Sequence, residues 1–260
     1  MKLEIIRRSY DTNPETTSVL FIHGAYHGAW CWEENFIEYF YNKGFSTYAV
    51  SFRGHGKSEG HHKLNTFTLN DYIDDILKVI QSFKIKPVLI AHSMGGAVAQ
   101  KILYLYPNKI KGIVLISSAP PNGISKDLLR GLYRNLKEYI KNLLFLKTEN
   151  KNTDKDVFFS KELPSKKRIK YIRALQPESK KIIKELMGTI VPKTLKTEIP
   201  VLILGSEQDL CVSVKTIIET GKVYKSKPII FSNVSHDMML DPNWRMIADK
   251  IIVFLNEDVY

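Results

Sequence analysis

The stretch Ala91-His92-Ser93-Met94-Gly95-Gly96 follows directly on the apolar run Pro87-Val88-Leu89-Ile90-Ala91 and opens a helical pattern that runs from Met94 to Tyr106, where Pro107 closes it. A serine on so sharp a strand-to-helix turn has its hydroxyl lifted above the carboxyl end of the strand, with the free N–H groups of the helix start behind it. Small neighbours are required because the turn brings backbones together. Gly95 and Gly96 supply them, and Ala91, the smallest residue with a Cβ, stands where glycine is commoner in this small-x-Ser-x-Gly arrangement.

Similar runs of β-branched or apolar residues occur at 18–22, 47–52, 112–117, 200–205 and 228–231. Short runs of this kind, punctuated by Gly and Pro, predict strands buried on both faces, which implies a parallel sheet with helices on each side. Leu69, Tyr72, Ile73, Ile76, Leu77 and Ile80 put one apolar stripe on a helix over Thr68 to Phe83. Trp244, Ile247, Ala248, Ile251, Ile252 and Leu255 put another on a helix over Pro242 to Leu255, with Asp241 as its cap and Pro242 in its first turn. Strand and helix alternate, so the fold class is α/β with a doubly wound, mostly parallel sheet. Lys2 to Arg7 is expected to add an antiparallel edge strand.

The alternation breaks at Gly123 to Lys196. Leu128, Leu129, Leu132, Leu136, Tyr139, Ile140, Leu143 and Leu144 form one helical stripe. Ile169, Ile172 and Leu175 form a second, and Ile182, Ile183, Leu186 and Met187 a third, with a polar loop at Thr148 to Asp156. These patterns predict a helical lid over 123–196, inserted in a core made of 1–122 and 197–260.

The chain has 260 residues, 44% hydrophobic and 25% charged, which excludes a disordered chain and is enough for a full core without a staple. Two cysteines, Cys31 and Cys211, make neither a disulfide framework nor a zinc site. They fit a reducing compartment, and a cytoplasmic location is expected. No apolar stretch is long enough for a membrane span, and no signal-type apolar region follows the basic N-terminus. The net charge of +11 lies wholly in one segment: 123–196 holds 19 Lys+Arg against 8 Asp+Glu, and the rest of the chain is balanced at 19 and 19. The first reading of that excess is solvated outer faces of lid helices. The second is a field that draws an anionic substrate or an anionic lipid surface. Lys166-Lys167-Arg168-Ile169-Lys170 resembles no base-reading module, so a nucleic-acid partner is not expected. His61 and His62 point different ways and have no third ligand spaced nearby, and there is no phosphate loop or dinucleotide fingerprint. No cofactor or metal is implied.

A serine hydroxyl needs a base within hydrogen-bond reach. Of the seven histidines only His236 lies beyond the last expected strand, in the loop Asn233-Val234-Ser235-His236-Asp237 before the final helix. The base needs a carboxylate to fix its tautomer. Asp209, in the loop after the strand at 200–205, is the expected one; Glu207 in the same loop is its nearest rival, and Asp237 is too close in sequence to reach the ring. The developing oxyanion needs donors. The backbone N–H of Met94 is one, and that of Ala25, in His23-Gly24-Ala25-Tyr26, is the other, with Tyr26 as the alternative. His23 reads as a brace for that loop.

With these residues in this order, the chain resembles an α/β-hydrolase-fold serine hydrolase over nearly its whole length. Arg53-Gly54-His55-Gly56-Lys57-Ser58 is similar to that family's Arg-Gly-x-Gly-x-Ser turn, and His23-Gly24-Ala25-Tyr26-His27-Gly28-Ala29-Trp30-Cys31-Trp32 resembles the plant-type methylesterase and hydroxynitrile-lyase branch. Members of that branch that cleave cyanohydrins carry Thr after the first histidine and Lys after the catalytic one. Gly24 and Asp237 stand there in this chain, which favours ester hydrolysis. The elbow and glycine-rich turn look closer to microbial esterases and monoacylglycerol lipases. The resemblance implies a carboxylic-ester hydrolase with a Ser93, His236 and Asp209 triad, acting on a small-molecule ester with an apolar acyl or aryl group. Tyr26 and the lid residues Leu132, Leu136 and Tyr139 are expected to bind substrate. Carbon–carbon bond hydrolysis, thioester hydrolysis and perhydrolase chemistry use the same triad and stay open, as does a non-catalytic ligand receptor on this fold. The sequence does not indicate an oligomeric state.

Overall fold

The computed structural model describes residues 1–10, 16–127 and 157–259. Seven strands form one sheet: β1 (Ile5–Arg8), β2 (Ser18–Ile22), β3 (Ser46–Val50), β4 (Val88–His92), β5 (Gly112–Ile116), β6 (Val201–Ser206) and β7 (Ile229–Phe231), in the order β1-β3-β2-β4-β5-β6-β7. Only β1 runs antiparallel, on the edge beside β3. The five apolar runs noted around the elbow appear as β2, β3, β5, β6 and β7.

The interior strands send alternate side chains to two separate cores. Leu20, Ile22, Leu89, Ala91, Ile113, Leu115 and Ile203 belong to one. Val19, Phe21, Val88, Ile90, Val114, Ile116, Leu202 and Leu204 belong to the other. This two-residue period is what makes the runs continuously apolar. On the first face lie α3 (Leu69–Ile80), α4 (Met94–Leu105) and α7 (Val214–Tyr224); on the second, α1 (Trp30–Glu33), α2 (Phe36–Asn42) and α8 (Trp244–Glu257). The sheet is doubly wound, as expected.

Register puts the chemistry on one edge. Ile22 pairs with Ala91, Ala91 with Leu115, Ile116 with Leu204, and Ser206 with Phe231. The carboxyl ends of β2, β4, β5 and β6 are therefore level, and whatever follows each strand meets at that edge. The Arg53 turn after β3 is pinned from below: the Arg53 guanidinium reaches both carboxylate oxygens of Asp75 at 2.7 to 3.1 Å and Asp71 at 2.5 Å, and its N–H donates to Asp75 at 2.9 Å.

Several local expectations shift. The last helix begins at Trp244 with Asn243 as its N-cap, so Pro242 stands outside the first turn. Asp241 turns instead to the histidine loop, accepting from the N–H and hydroxyl of Ser235 and from Asn243 N–H. The buried face of α7 uses Thr216, Thr220 and Gly221 beside Ile217 and Tyr224. His61 to Thr66 forms a 3₁₀ turn. Between β5 and β6 the chain inserts α5 (Ser165–Ala174) and α6 (Lys180–Leu186). In α5 the buried residue is Tyr171, while Ile169, expected on the apolar stripe, is 51% exposed. Ile169 stands two residues before Tyr171, roughly 200° around a helix of 3.6 residues per turn, so it lies opposite the face that Tyr171 seats. Lys166, Lys167, Lys170 and Arg173 are exposed on α5, and Lys167 and Lys170 meet Glu34. The stripe from Leu128 to Leu144, the loop from Thr148 to Asp156, and with them Leu132, Leu136 and Tyr139, lie outside the described residues.

α3 starts with a reciprocal cap, Thr68 hydroxyl accepting from Asp71 N–H while Asp71 accepts from Thr68 N–H. Thr68→Ala is expected to destabilise the protein by about 1 kcal/mol in urea unfolding, with the slope of the transition unchanged.

Candidate active site

Ser93 occupies the N-cap of α4 with φ 50° and ψ −118°, a region that a non-glycine residue enters only under constraint. The constraint is visible. Its N–H donates to Ile116 O at 3.0 Å, and its carbonyl accepts from Gly96 N–H at 2.9 Å and Ala119 N–H at 3.0 Å. Gly95 is needed because a Cβ there would stand 2.5 Å from His23 O. Ser93 is half-buried while His92, Met94 and Gly95 around it are buried, so the turn offers the serine outward. The elbow forms with Ala91 in the position where glycine is commoner.

The loop after β2 lies against this turn. A Cβ on Gly24 would fall 2.7 Å from His92 Nδ1 and 3.0 Å from Ser93 Cβ, so only glycine fits there. His23 braces the loop. Its Nε2 accepts from Phe52 N–H at 3.1 Å, which leaves Nδ1 to donate to Gly24 O at 2.8 Å. Burial, aided by nearby His55, holds its pKa well below the ordinary value, in keeping with that neutral tautomer. Among the described residues no acceptor meets the N–H of Ala25, Tyr26 or Met94.

His236 is buried beside the elbow, its ring centroid 4.7 Å from that of His92. Its Nδ1 lies 2.9 Å from both carboxylate oxygens of Asp209. Asp209 accepts only, so Nδ1 carries the proton and Nε2 is the bare acceptor. Burial disfavours both charges. The Asp209 carboxylate outweighs burial at His236 and sets its pKa above the ordinary value, and His236 in turn holds Asp209 below its own. Cys211 N–H at 2.7 Å and Val212 N–H at 2.9 Å also donate to Asp209 Oδ1. Glu207, the rival carboxylate, is exposed, and its backbone N–H is bonded to Phe231 O.

Two histidines and a carboxylate that the motif reading left aside complete the site. His92 donates through Nε2 to the His236 carbonyl at 3.1 Å and is pushed down to about 3 by burial and by His236, so it stays neutral. Asp237 is fully buried and meets His27 Nε2 at 2.8 Å. The segment after residue 156 closes over them: Asp237 N–H donates to Phe158 O at 2.9 Å, and the Phe158 ring lies 5.9 Å from the His236 ring, 5.8 Å from His27 and 6.2 Å from Tyr26. Gln176 bridges as well, its N–H to Tyr26 O at 3.0 Å and its side chain to Gly56 N–H and Gly54 O. Nearby, buried Glu178 accepts from Tyr72 OH at 2.8 Å and pairs with His55 at 3.1 Å. Among the described residues, two sets of three ligand-type atoms lie within 4.8 Å of one another, His92, His236 and Asp237, and Asp209, Cys211 and His236. Both sets share His236, and Asp209 and Asp237 are already bonded to histidine nitrogens.

The structure thus brings Ser93, Met94, Ala25, Tyr26, Asp209 and His236 to one sheet edge. Their frame, a strained serine between a buried parallel strand and a helix, with a carboxylate-bound histidine carried by loops of the neighbouring strands, is that of an α/β-hydrolase. Residues 13–243 match the family described as serine aminopeptidase S33, and the chain belongs to that family. It is 27% identical over 242 residues to a pimeloyl-(acyl-carrier protein) methyl ester esterase of Wigglesworthia glossinidia brevipalpis, covering 85% of this chain and 87% of that protein. It is 32% identical over 107 residues to methylesterase 9 of Arabidopsis thaliana, covering 40% of each. The fold is shared with a monoacylglycerol lipase of Paleococcus ferrophilus (TM-score 0.73, 22% identity, 98% of each chain). It is also shared with an enol-lactonase of Burkholderia xenovorans LB400 (TM-score 0.75, 14% identity, 98% of this chain and 96% of that one). Among the described residues no helix is long and apolar enough to cross a membrane.

The close approach at Gly24 gives a direct test. Gly24→Thr is expected to destabilise the fold by about 1 to 3 kcal/mol by overpacking and to abolish turnover, read by thermal unfolding and by ester hydrolysis.

Proposed function

We propose that the protein is a carboxylic-ester hydrolase working through an acyl-enzyme. The observation that carries this reading is the buried His236–Asp209 pair, whose imidazole lies against that of His92, the residue just before the outward-facing Ser93 of the elbow. Ser93 Oγ attacks the ester carbonyl while His236 Nε2 takes its proton, and Asp209 stabilises the imidazolium that forms. The N–H groups of Ala25 and Met94 receive the negative charge on the carbonyl oxygen. His236 then gives its proton to the departing alkoxide, and water repeats the sequence on the acyl-enzyme, releasing the acid and restoring Ser93. The esterase names of the relatives support this class of reaction.

Residues 123–196 serve as a cap on a core of 1–122 and 197–260 in this reading. Phe158, half-buried against His236, and Tyr26 offer apolar surface at the serine, which suits an apolar acyl or aryl group.

Hydrolysis of p-nitrophenyl acetate, butyrate, octanoate and laurate tests the reading. Ser93→Ala and His236→Ala are expected to fold and to lower kcat by about 10⁴-fold or more, and undiminished turnover in either would remove the assigned mechanism. The base works in its neutral form. Because Asp209 raises its pKa, the acid limb of kcat/KM is expected above the ordinary histidine value of 6.5. Asp209→Asn removes the cause of the shift; the limb should move to lower pH as kcat falls by about 10⁴-fold.

A further inference from the structure

We propose that Asp237 and His27 form a positioning pair that ties the histidine loop to the oxyanion loop and fixes the Ala25–Tyr26 peptide unit, next to the Gly24–Ala25 unit whose N–H receives the developing charge. The proposal rests on the ester-hydrolase reading of the same site. His27 is 1% exposed and Asp237 0%, and the two come from loops 210 positions apart in sequence. His27 Nε2 lies 2.8 Å from Asp237 Oδ2, and His27 Nδ1 lies 2.7 Å from Ala25 O. Both partners face the ring with oxygens, and a carbonyl can only accept. Each short contact therefore needs its own proton, one on Nδ1 for Ala25 and one shared between Nε2 and the carboxylate.

The geometry explains why such a pair is placed here. The N–H of Ala25 belongs to the Gly24–Ala25 peptide unit, whose carbonyl accepts from His23 Nδ1. The N–H of Tyr26 belongs to the next unit, whose carbonyl accepts from His27 Nδ1. Two histidines thus grip successive peptide units by their oxygens. A carbonyl that accepts a hydrogen bond makes the N–H of its own unit a better donor and stops it from turning. Holding is needed, since Tyr26 stands at φ 70°, a left-handed conformation that a tyrosine does not keep unaided. Asp237 supplies the fixed point. Its N–H is bonded to Phe158 O, its Oδ1 lies 3.7 Å from His92 Nε2, and it follows His236 directly in the chain. Movement of the base and movement of the oxyanion donors are thereby coupled through one buried bridge.

A double-mutant cycle tests this. His27→Ala and Asp237→Ala are each expected to lower kcat by about 10- to 100-fold, with KM changed by less than about threefold, and the double variant should fall no further than the worse single one. Asp237→Asn can still donate to Nε2 and leave Nδ1–H on Ala25 O, so it should recover kcat to within about fivefold of the parent. Folded alanine variants with unchanged kcat, losses that multiply in the double variant, or an Asn variant as poor as the Ala variant would overturn the proposal. Labelling of Ser93 by a fluorophosphonate draws on the same donors and gives the cycle a rate even if no ester is turned over, which separates failure of the pair from failure of the ester-hydrolase reading. Should the alanine variants not fold, nitrogen NMR of the otherwise intact Ser93→Ala protein near neutral pH decides. A proton in each His27 hydrogen bond is the expected result, and a bare His27 Nδ1 would refute the bridge.

Discussion

A serine held in a left-handed conformation is strained by an amount of order 1 to 3 kcal/mol, and at Ser93 the surrounding structure leaves it no alternative. Its N–H is taken by β5, its carbonyl by two N–H groups, and the next residue is pressed so close to His23 O that only glycine fits. Those contacts exist because β2, β4 and β5 are parallel neighbours whose carboxyl ends are level. The sheet register therefore comes first in the physical argument. It sets where the elbow turns, the elbow sets how near Gly24 must come, and that approach sets where the loop from His23 to His27 lies.

The electrostatic arrangement is built from histidines in separate roles. His23 and His92 are held neutral by burial and by like neighbours, and each has its proton placed by a backbone partner. His236 has the opposite tendency because Asp209 sits on its Nδ1. Asp237, one residue along, is turned away from that ring toward His27, and burial alone would raise its pKa, but His27 holds it below the ordinary carboxylate value. Two carboxylates are thus assigned to two histidines without crossing, and each keeps to its own hydrogen bond.

The sheet was legible in the sequence because every interior strand is buried on both faces, so Ser18–Ile22, Val88–His92 and Gly112–Ile116 read as unbroken apolar runs. The elbow was legible for a different reason, since the turn demands small residues at fixed offsets. α7 was not picked out, and its inner face mixes Thr216, Thr220 and Gly221 with Ile217 and Tyr224. The sequence placed Asp209 and His236 at strand ends by their order alone. It did not show the bond between His27 and Asp237, since nothing local marks a histidine as the partner of a carboxylate far along the chain. The one available sign was a second histidine four residues after His23, inside a loop already under suspicion. Phe158 was missed because the short apolar run Val157-Phe158-Phe159, between polar stretches, is too brief to carry a period.

β5 and β6 are hydrogen-bonded neighbours, yet α5 and α6 are both inserted between them. Closing a loop of that size carries an entropic penalty that grows only slowly with length, but the closure must come before β6 and β7 can add to the sheet. The strands that frame Ser93 are all complete by Ile116, whereas Asp209 and His236 lie beyond Val201. In a chain made from its N-terminus, the turn at Ser93 can thus be assembled while His236 is still unsynthesised. The turn that holds Ser93 is made well before the His236–Asp209 pair, which belongs to the last quarter of the chain.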